Sequence, residues 1–455
     1  MTYNELEKKI NSERVAEIFT VLYGKNEVNA ARRRYMSLIT EMLKNETEFH
    51  ETEQDRTQDN FRIFSSPGRT ELAGNHTDHN RGKVLAASVH LDSAAVVRKR
   101  NDSTIFFRST GFPDVKVKLT DTSGAPCLQP IPEERGTTEA LVRGIAAELN
   151  RRGCTVGGFS ANANSTVLPG SGLSSSAAVE MLFCRIFDSL YGEEKRDSIE
   201  IAQIGQIAEN AYFGKPCGLM DQIACATGGA VAIDFADAAF PEVKRINFDL
   251  CAADYVLCVV NTGGSHADLT SDYASIPAEM KAVAAFFGKS VLREIDKETV
   301  ISRAAEVRKL IGDRALLRAI HFFDENVRVD AMTTALIEME NAAASAEKQQ
   351  VLNCYLELVN ESGDSSWELL QNVYSPHHPE TQGISAALAL TKNFFRRQNL
   401  RGACRVHGGG FAGTIQTYIP QDAIDTYRTI VEAVFGAGSL TILKIRPIGS
   451  VEMVF

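Results

Sequence analysis

The sequence predicts an α+β protein built in two lobes. Strand-like and helix-like stretches alternate from residue 61 to about residue 245. A strongly apolar stretch at residues 255–260, YVLCVV, reads as a buried strand that opens a second part of the chain, and residues 277–360 are Ala- and Glu-rich and mostly helical. This mixture of helices and strands is typical of α+β architectures.

The beginning of the chain predicts a helical extension. Apolar residues recur with helical spacing in two runs within residues 1–45, whereas residues 44–60 are almost wholly polar. We therefore expect three parts: a helical extension with a polar linker at residues 1–60, an N-terminal lobe at residues 61–248 and a C-terminal lobe at residues 249–455.

Local patterns place the elements of the two lobes. The predicted strands cover residues 62–65, 84–97, 104–108, 115–119, 230–234, 414–419 and 441–446. The predicted helices cover residues 139–149, 173–191 and a stretch that runs from a capping-box-like start at Asp197 to about residue 213. Pro67 and Gly68 predict a turn after the first strand.

Composition narrows the class of protein. The chain has 455 residues, of which 44% are apolar and 23% charged, and this excludes a disordered or fibrous chain. Its net charge of −10 disfavours binding to nucleic acid or anionic membranes, but leaves room for a local basic pocket. The nine cysteines are scattered and have no CxxC spacing, and the first residues are polar and lack the apolar core of a signal peptide. These features predict a cytoplasmic protein.

Residues 168–178, LPGSGLSSSAA, predict a phosphate-binding loop. Glycines and serines lead directly into an apolar helix, so backbone N–H groups would point at a ligand beside the positive end of the helix. Because no lysine follows, the segment is not a Walker A loop. Taken alone, it fits a phosphate loop and a simple helix cap about equally well.

Two further glycine-rich segments suggest a binding site. Residues 66–82, SPGRTELAGNHTDHNRG, gather Arg, His and Asp side chains that could bind a polyol, although a solvated loop has the same composition. Residues 405–414, RVHGGGFAGT, contain three consecutive glycines, which indicate close approach of the backbone to a ligand or to another loop. An ordinary tight turn is the alternative.

Together these segments, with residues 208–222, AENAYFGKPCGLMDQ, resemble the galactokinase branch of the galacto-, homoserine, mevalonate and phosphomevalonate kinase superfamily. The resemblance runs from about Phe61 to the end of the chain, and it depends on the order and spacing of the four segments as well as on their residues. It implies the two-lobed kinase fold of that superfamily, with mixed sheets and helices and an active site in the cleft between the lobes.

The resemblance also implies an activity: transfer of the γ-phosphoryl group of ATP to the anomeric hydroxyl of a hexose, first of all galactose. It implies that Asp221 is the catalytic carboxylate, that Arg69 stabilises charge, and that Ser176 and Glu209 hold Mg²⁺. The implied sugar contacts are Asn75, His76, Asp78, Gly218 and Tyr273. The implied nucleotide contacts are Gly170, Ser171, Gly172, Leu173, Ser174, Ser175 and Ser176.

These roles suit the chemistry of the residues. Phosphoryl transfer requires positioning and stabilisation of spread negative charge. A carboxylate at Asp221 could orient the hydroxyl or accept its proton, and the permanently charged Arg69 could keep that carboxylate ionised. Glu209 offers the hard oxygen that Mg²⁺ prefers. On sequence alone, Asp221 could equally be a helix N-cap and Glu209 a polar residue near a helix end.

Two departures bear on the substrate. Galactokinases usually have Glu at the position of Asn75 and Tyr at the position of His79. Because Asn carries no charge, we expect weaker discrimination at carbon 6 of the sugar, and a kinase for galacturonate or N-acetylgalactosamine stays open beside galactokinase. A non-catalytic sugar and ATP sensor is the third alternative. We expect a monomer with a small-molecule sugar and ATP as partners.

Overall fold

Two β-sheets, one of eight strands and one of four, organise the protein in a computed structural model. The structure describes residues 3–44, 61–167, 170–250, 253–264 and 269–453. Helices pack on both sheets, so the predicted α+β class is confirmed.

The strands follow the predicted pattern in most places. In chain order they are β1 Phe61–Ala73, β2 Lys83–Lys99, β3 Thr104–Ser109, β4 Val115–Lys118, β5 Phe159–Ser165, β6 Ala230–Asp234, β7 Glu242–Ile246, β8 Tyr255–Asn261, β9 Ala403–His407, β10 Thr414–Pro420, β11 Leu440–Leu443 and β12 Val451–Met453. Strands β5, β7, β9 and β12 were not predicted from the sequence.

The helices include three in the N-terminal extension, where helices were predicted. They are α1 Tyr3–Ile10, α2 Glu13–Tyr23, α3 Val28–Lys44, α4 Thr138–Arg151, α5 Ser175–Tyr191, α6 Ser198–Ile207, α7 Met220–Thr227, α8 Thr270–Phe286, α9 Lys297–Ser302, α10 Ala304–Leu310, α11 Asp313–Asn341, α12 Ser345–Ser365, α13 Gly383–Gln398 and α14 Ile424–Phe435. Within the described residues, none of these helices is long and apolar enough to cross a membrane.

The large sheet has the order β12-β1-β2-β5-β3-β4, with β6 and β7 continuing from the other end of β2. The small sheet has the order β11-β8-β10-β9. The chain therefore passes from the large sheet to the small sheet between β7 and β8, close to the predicted lobe boundary at residue 248. The last strand departs from that division, because β12 pairs with β1 and covers its edge.

The N-terminal helices cover one face of the large sheet. Phe19 and Tyr35 stack with ring centroids 5.3 Å apart within an apolar cluster that includes Ile63 and Val96 of the sheet. The predicted polar linker that would follow these helices lies almost wholly outside the described residues.

Strand β1 continues where a turn was predicted. Pro67 pairs with Asp92 and Arg69 pairs with Ser88, with a shift of register between them. A bulge of this kind re-aims a side chain without ending the strand. At Gly68 a Cβ atom would lie 2.6 Å from the Leu173 carbonyl oxygen, so glycine is required by the close approach of the segment that contains Leu173 rather than by a turn.

Candidate active site

Arg69 and Asp221 form the central ion pair of the site. Arg69 follows the bulge in β1, and Asp221 lies in the first turn of α7. Arg69 Nε donates to Asp221 Oδ1 at 2.7 Å and Nη2 donates to Oδ2 at 2.8 Å. Such a two-point contact fixes the orientation of both groups. Asp221 makes no N-cap hydrogen bond; the N-cap residue of α7 is Leu219.

The environment keeps Asp221 ionised. Burial opposes the charged form, but the charge and hydrogen bonds of Arg69 outweigh it and hold the pKa of the carboxyl below its usual value. The Ser174 hydroxyl donates to Oδ2 of the same carboxylate. The Asp221 side chain nevertheless keeps 30% of its surface exposed, so it can reach a ligand.

The phosphate loop, residues 170–176, lies beside this pair. Arg69 also donates to the Gly172 carbonyl, and its backbone N–H donates to the Leu173 carbonyl at 3.0 Å. Gly170 and Gly172 have positive φ, as does Ser174, which comes directly before α5. The loop thus winds closely into the helix N-terminus, as a phosphate-binding loop requires, and Ser176 is exposed in the first turn.

A group of buried acids lies near the start of α7. Glu209, in a short π-helical turn, accepts a hydrogen bond from Lys215 Nζ at 3.1 Å. Gln222 Nε2 donates to Glu209 at 3.1 Å and to Glu180 at 3.0 Å, so it bridges two carboxyl groups. Burial, together with the charge of Glu209, raises the pKa of Glu180 well above its usual value. Neither Glu180 nor Gln222 was predicted as a site residue, although Gln222 directly follows Asp221 at the end of residues 208–222.

The residues present fit a magnesium ion. Within the described ranges no group of three or more His, Cys, Asp or Glu is arranged to hold a metal by itself. Glu209 and Ser176 offer one carboxylate and one hydroxyl, and Glu180 Oε1 has no hydrogen-bond partner among the described residues. Mg²⁺ typically binds one or two carboxylates and takes its remaining ligands from substrate phosphates and water, so a sparse set of protein ligands is compatible with this ion.

The signature loop, residues 74–82, connects β1 to β2. Gly74 has a φ of +91° and His76 a φ of +60°, both in the left-handed region. His76 donates through Nε2 to the Gly409 carbonyl at 2.9 Å, because a carbonyl can only accept. Burial lowers the pKa of His76 to about 4, so the ring is neutral and its Nδ1 atom is left as an acceptor.

Asn75 belongs to this loop, and its side chain points into the protein interior. Its side chain is fully buried, and Nδ2 donates to Glu71 at 2.9 Å and to the Gly408 carbonyl at 2.7 Å. Its Oδ1 atom accepts from Asn372 at 2.7 Å. Both ends of the amide are therefore bonded to protein groups, which leaves only the second lone pair of Oδ1 for the predicted contact between Asn75 and the sugar.

Asp78 and Gly218 are brought into contact. A Cβ atom at Gly218 would lie 1.8 Å from Asp78 Oδ2, so the segment before α7 passes directly over the Asp78 carboxylate. The other carboxylate oxygen accepts the His79 backbone N–H at 2.9 Å. Only glycine at position 218 leaves Asp78 its present place.

The glycine loop, residues 408–413, closes the site from the small sheet. A Cβ atom at Gly409 would lie 2.4 Å from the Tyr273 ring, and one at Gly410 would lie 2.2 Å from the Asn372 carbonyl oxygen. The Tyr273 hydroxyl donates to the Gly410 carbonyl at 3.0 Å. The predicted close approach of this backbone to another segment is confirmed. Asn372, which links it to Asn75, had no signal in the sequence.

Comparison with known proteins matches two family models. Residues 140–229 match the GHMP kinases N terminal domain, and residues 47–99 match the galactokinase galactose-binding signature. A galactokinase of Clostridium tetani (strain Massachusetts / E88) is 31% identical over 271 residues, which are 59% of this chain and 67% of that relative. The chain belongs to the galactokinase family.

Other galactokinases are similar to this chain over a larger part of its length. The galactokinase of Glaesserella parasuis serovar 5 (strain SH0165) is 29% identical over 370 residues, 80% of this chain and 87% of the relative. The crystal structure of Lactococcus lactis galactokinase complexed with galactose has a TM-score of 0.70 at 25% identity, covering 87% of this chain and 96% of that one. A mevalonate kinase with a TM-score of 0.53 and 13% identity shares the fold. The resemblance and the two-lobed kinase fold inferred from the sequence are thus confirmed.

Proposed function

We propose that this galactokinase-family enzyme transfers the γ-phosphoryl group of ATP to the anomeric hydroxyl of galactose. The observation that carries the proposal is the two-point Arg69–Asp221 pair beside the phosphate loop. The galactose-binding signature over residues 47–99 and the galactokinase relatives support the sugar.

The ion pair suggests how the hydroxyl is activated. Asp221 is ionised and partly exposed, so it can accept a hydrogen bond from the anomeric hydroxyl and take its proton as the oxygen attacks the γ-phosphorus. The new bond joins the sugar oxygen to phosphorus, the bond from phosphorus to the β-phosphate oxygen breaks, and ADP leaves. Arg69 fixes the carboxylate and adds positive charge where negative charge is spread.

Other residues bind and orient the two substrates. The phosphate loop presents backbone N–H groups and Ser176 to the nucleotide phosphates. Ser176 and Glu209 would hold Mg²⁺, which neutralises phosphate charge when it is bound. We propose four sugar contacts. His76 would accept through Nδ1 and Asp78 through its carboxylate, whereas Gly218 and Tyr273 would shape the wall of the sugar site.

The geometry favours galactose over a sugar acid. The idea that Asn75 admits a carboxylate at carbon 6 needs a direct contact, whereas both ends of its amide are bonded to protein groups. A sensor is disfavoured because Arg69, Asp221, Ser176 and Glu209 are all present, and a protein without turnover has no need of the whole set.

A hexose panel tests the proposal. ADP release is measured with galactose, galacturonate, N-acetylgalactosamine and glucose, and we expect the highest kcat/KM with galactose. No sugar-dependent ADP release with any of them would refute the kinase assignment. We further propose that the protein is cytoplasmic, which the free thiols of eight described cysteines support. We also propose that it is a monomer, which sedimentation tests.

A further inference from the structure

Helix α11 contacts the backbone of the signature loop from the other lobe. Glu325 Oε1 accepts the Gly74 backbone N–H at 3.0 Å, and His321 Nε2 donates to the Asn75 carbonyl at 2.9 Å. The two side chains are four residues apart and so lie on one face of the helix. A third residue of the same helix, Asn326, accepts the Lys83 backbone N–H at 2.6 Å where the loop ends.

Both side chains are held in place by α12. His321 Nδ1 accepts from the Ser365 hydroxyl at 2.8 Å, and Glu325 Oε1 accepts from the Ser362 hydroxyl at 2.6 Å. Arg328 adds a charged contact to the other Glu325 oxygen. Both His321 and Glu325 are fully buried. Because burial lowers the pKa of His321, its ring is neutral, and one nitrogen donates while the other accepts.

The contacted backbone includes one left-handed residue of the loop and directly precedes another. Gly74 and His76 have left-handed φ angles, and a left-handed conformation at a non-glycine residue persists only where its surroundings fix it. Gly74 and Asn75 directly precede His76. A shift of their backbone would therefore move the His76 ring and the Asp78 carboxylate together.

We infer that His321 and Glu325 are positioning residues for the sugar: they fix the backbone at Gly74 and Asn75 so that His76 and Asp78 meet the substrate. This inference rests on the proposed function. Their loss should weaken sugar binding, because the loop that carries His76 and Asp78 would be held less firmly. Nucleotide binding should stay unchanged, because the side-chain hydrogen bonds of both residues go to the signature loop, α11 and α12 and not to the phosphate loop.

Paired variants at His321 test the inference. His321→Leu removes the donor, whereas His321→Gln keeps an N–H group at nearly the same place. We expect the sugar KM of His321→Leu to rise about tenfold, which corresponds to about one lost hydrogen bond that holds the loop in place, and that of His321→Gln to stay within about twofold. The KM for ATP should change by less than about twofold in both.

Thr391→Val is the matched control. Thr391 is fully buried on α13 and bonds to the Ala387 carbonyl and the Tyr427 hydroxyl, away from the loop. It should lower the Tm without moving the sugar KM. If the sugar and ATP KM values rise together in His321→Leu, or if His321→Gln is as impaired as His321→Leu, the inference is wrong.

Hydrogen exchange gives a test that needs neither a variant nor turnover. In the wild-type enzyme the Gly74 amide should exchange slowly, because it donates a hydrogen bond to the buried Glu325 carboxylate. Exchange as fast as in an exposed loop would overturn the inference even if the enzyme phosphorylates galactose. Conversely, slow exchange with no phosphorylation of any hexose would contradict the proposed function alone.

Discussion

Arg69 holds Asp221 through two hydrogen bonds of 2.7 and 2.8 Å that join residues 152 positions apart in the chain. The pair links β1 to the first turn of α7, and the phosphate loop touches it through Gly172 and Ser174. The proposed sites of sugar activation and phosphate binding therefore meet at one carboxylate. This relationship is the basis of the first two predictions.

Asp221→Asn should fold and bind sugar but lose turnover. The amide cannot accept the hydroxyl proton, and general-base assistance is worth about two to four orders of magnitude in kcat. Steady-state kinetics and sugar calorimetry check both parts. Asp330→Asn, at a 60% exposed side chain paired with Lys83, is the control and should retain wild-type kcat. Near wild-type turnover in Asp221→Asn would remove Asp221 from its role.

Arg69→Gln should shift the acid limb of the pH profile upward. Arg69 favours the ionised carboxylate and lowers the pKa of Asp221, so its removal raises that pKa. Activity that needs ionised Asp221 is then lost at a higher pH on acidification. The measurement is kcat/KM between about pH 4 and pH 8.

The control for this profile is Arg62→Gln. Arg62 lies on the same strand, pairs with Glu452 and has a 39% exposed side chain. It should leave the acid limb in place. An acid limb that is identical in Arg69→Gln and the wild type would contradict the coupling.

Ser176→Ala and Glu209→Gln should raise the Mg²⁺ concentration needed for half-maximal rate and depress kcat, with little change in sugar affinity. The reason is that one hydroxyl and one carboxylate are the proposed protein ligands. Magnesium titrations of the rate check this. Glu200→Gln, a carboxylate on α6 bonded to Arg196, is the control. A collapse of sugar affinity with an unchanged Mg²⁺ requirement would show that the assignment is wrong.

Asn75→Glu should weaken sugar binding without changing sugar preference. A glutamate there would face Glu71 as a like charge and would lose the donor to the Gly408 carbonyl. We expect a lower Tm and a higher sugar KM, with the ratio of kcat/KM for galactose and galacturonate unchanged. A variant that instead gains strict preference for galactose would mean that residue 75 contacts the sugar directly.

Features that depend on contiguous residues could be predicted from the sequence. The glycine and serine run of the phosphate loop, the helix start at Asp197 and the long strand β2 all carry local signals. Asp197 caps α6 through the backbone N–H groups of Ile199 and Glu200, as its position suggests. Motif order along the chain was sufficient to indicate the family.

Features that depend on partners distant in the chain could not be predicted from the sequence. Strand β5, FSANANS, is too polar to read as buried, yet it pairs with β2 and β3 inside the large sheet. Strand β12 has three residues and exists because β1 offers an edge. Asn372 bonds to Asn75 across 297 positions, and only the fold shows that the amide of Asn75 is occupied by protein.

The most direct test of the central claim is ³¹P NMR of the product. Wild-type enzyme, galactose, ATP and Mg²⁺ should yield ADP and one sugar phosphate in equal amounts, with the phosphorus coupled to the anomeric proton. Asp221→Asn under the same conditions should give almost none. A phosphate on another sugar carbon, or ADP formed with inorganic phosphate and no sugar phosphate, would contradict the account.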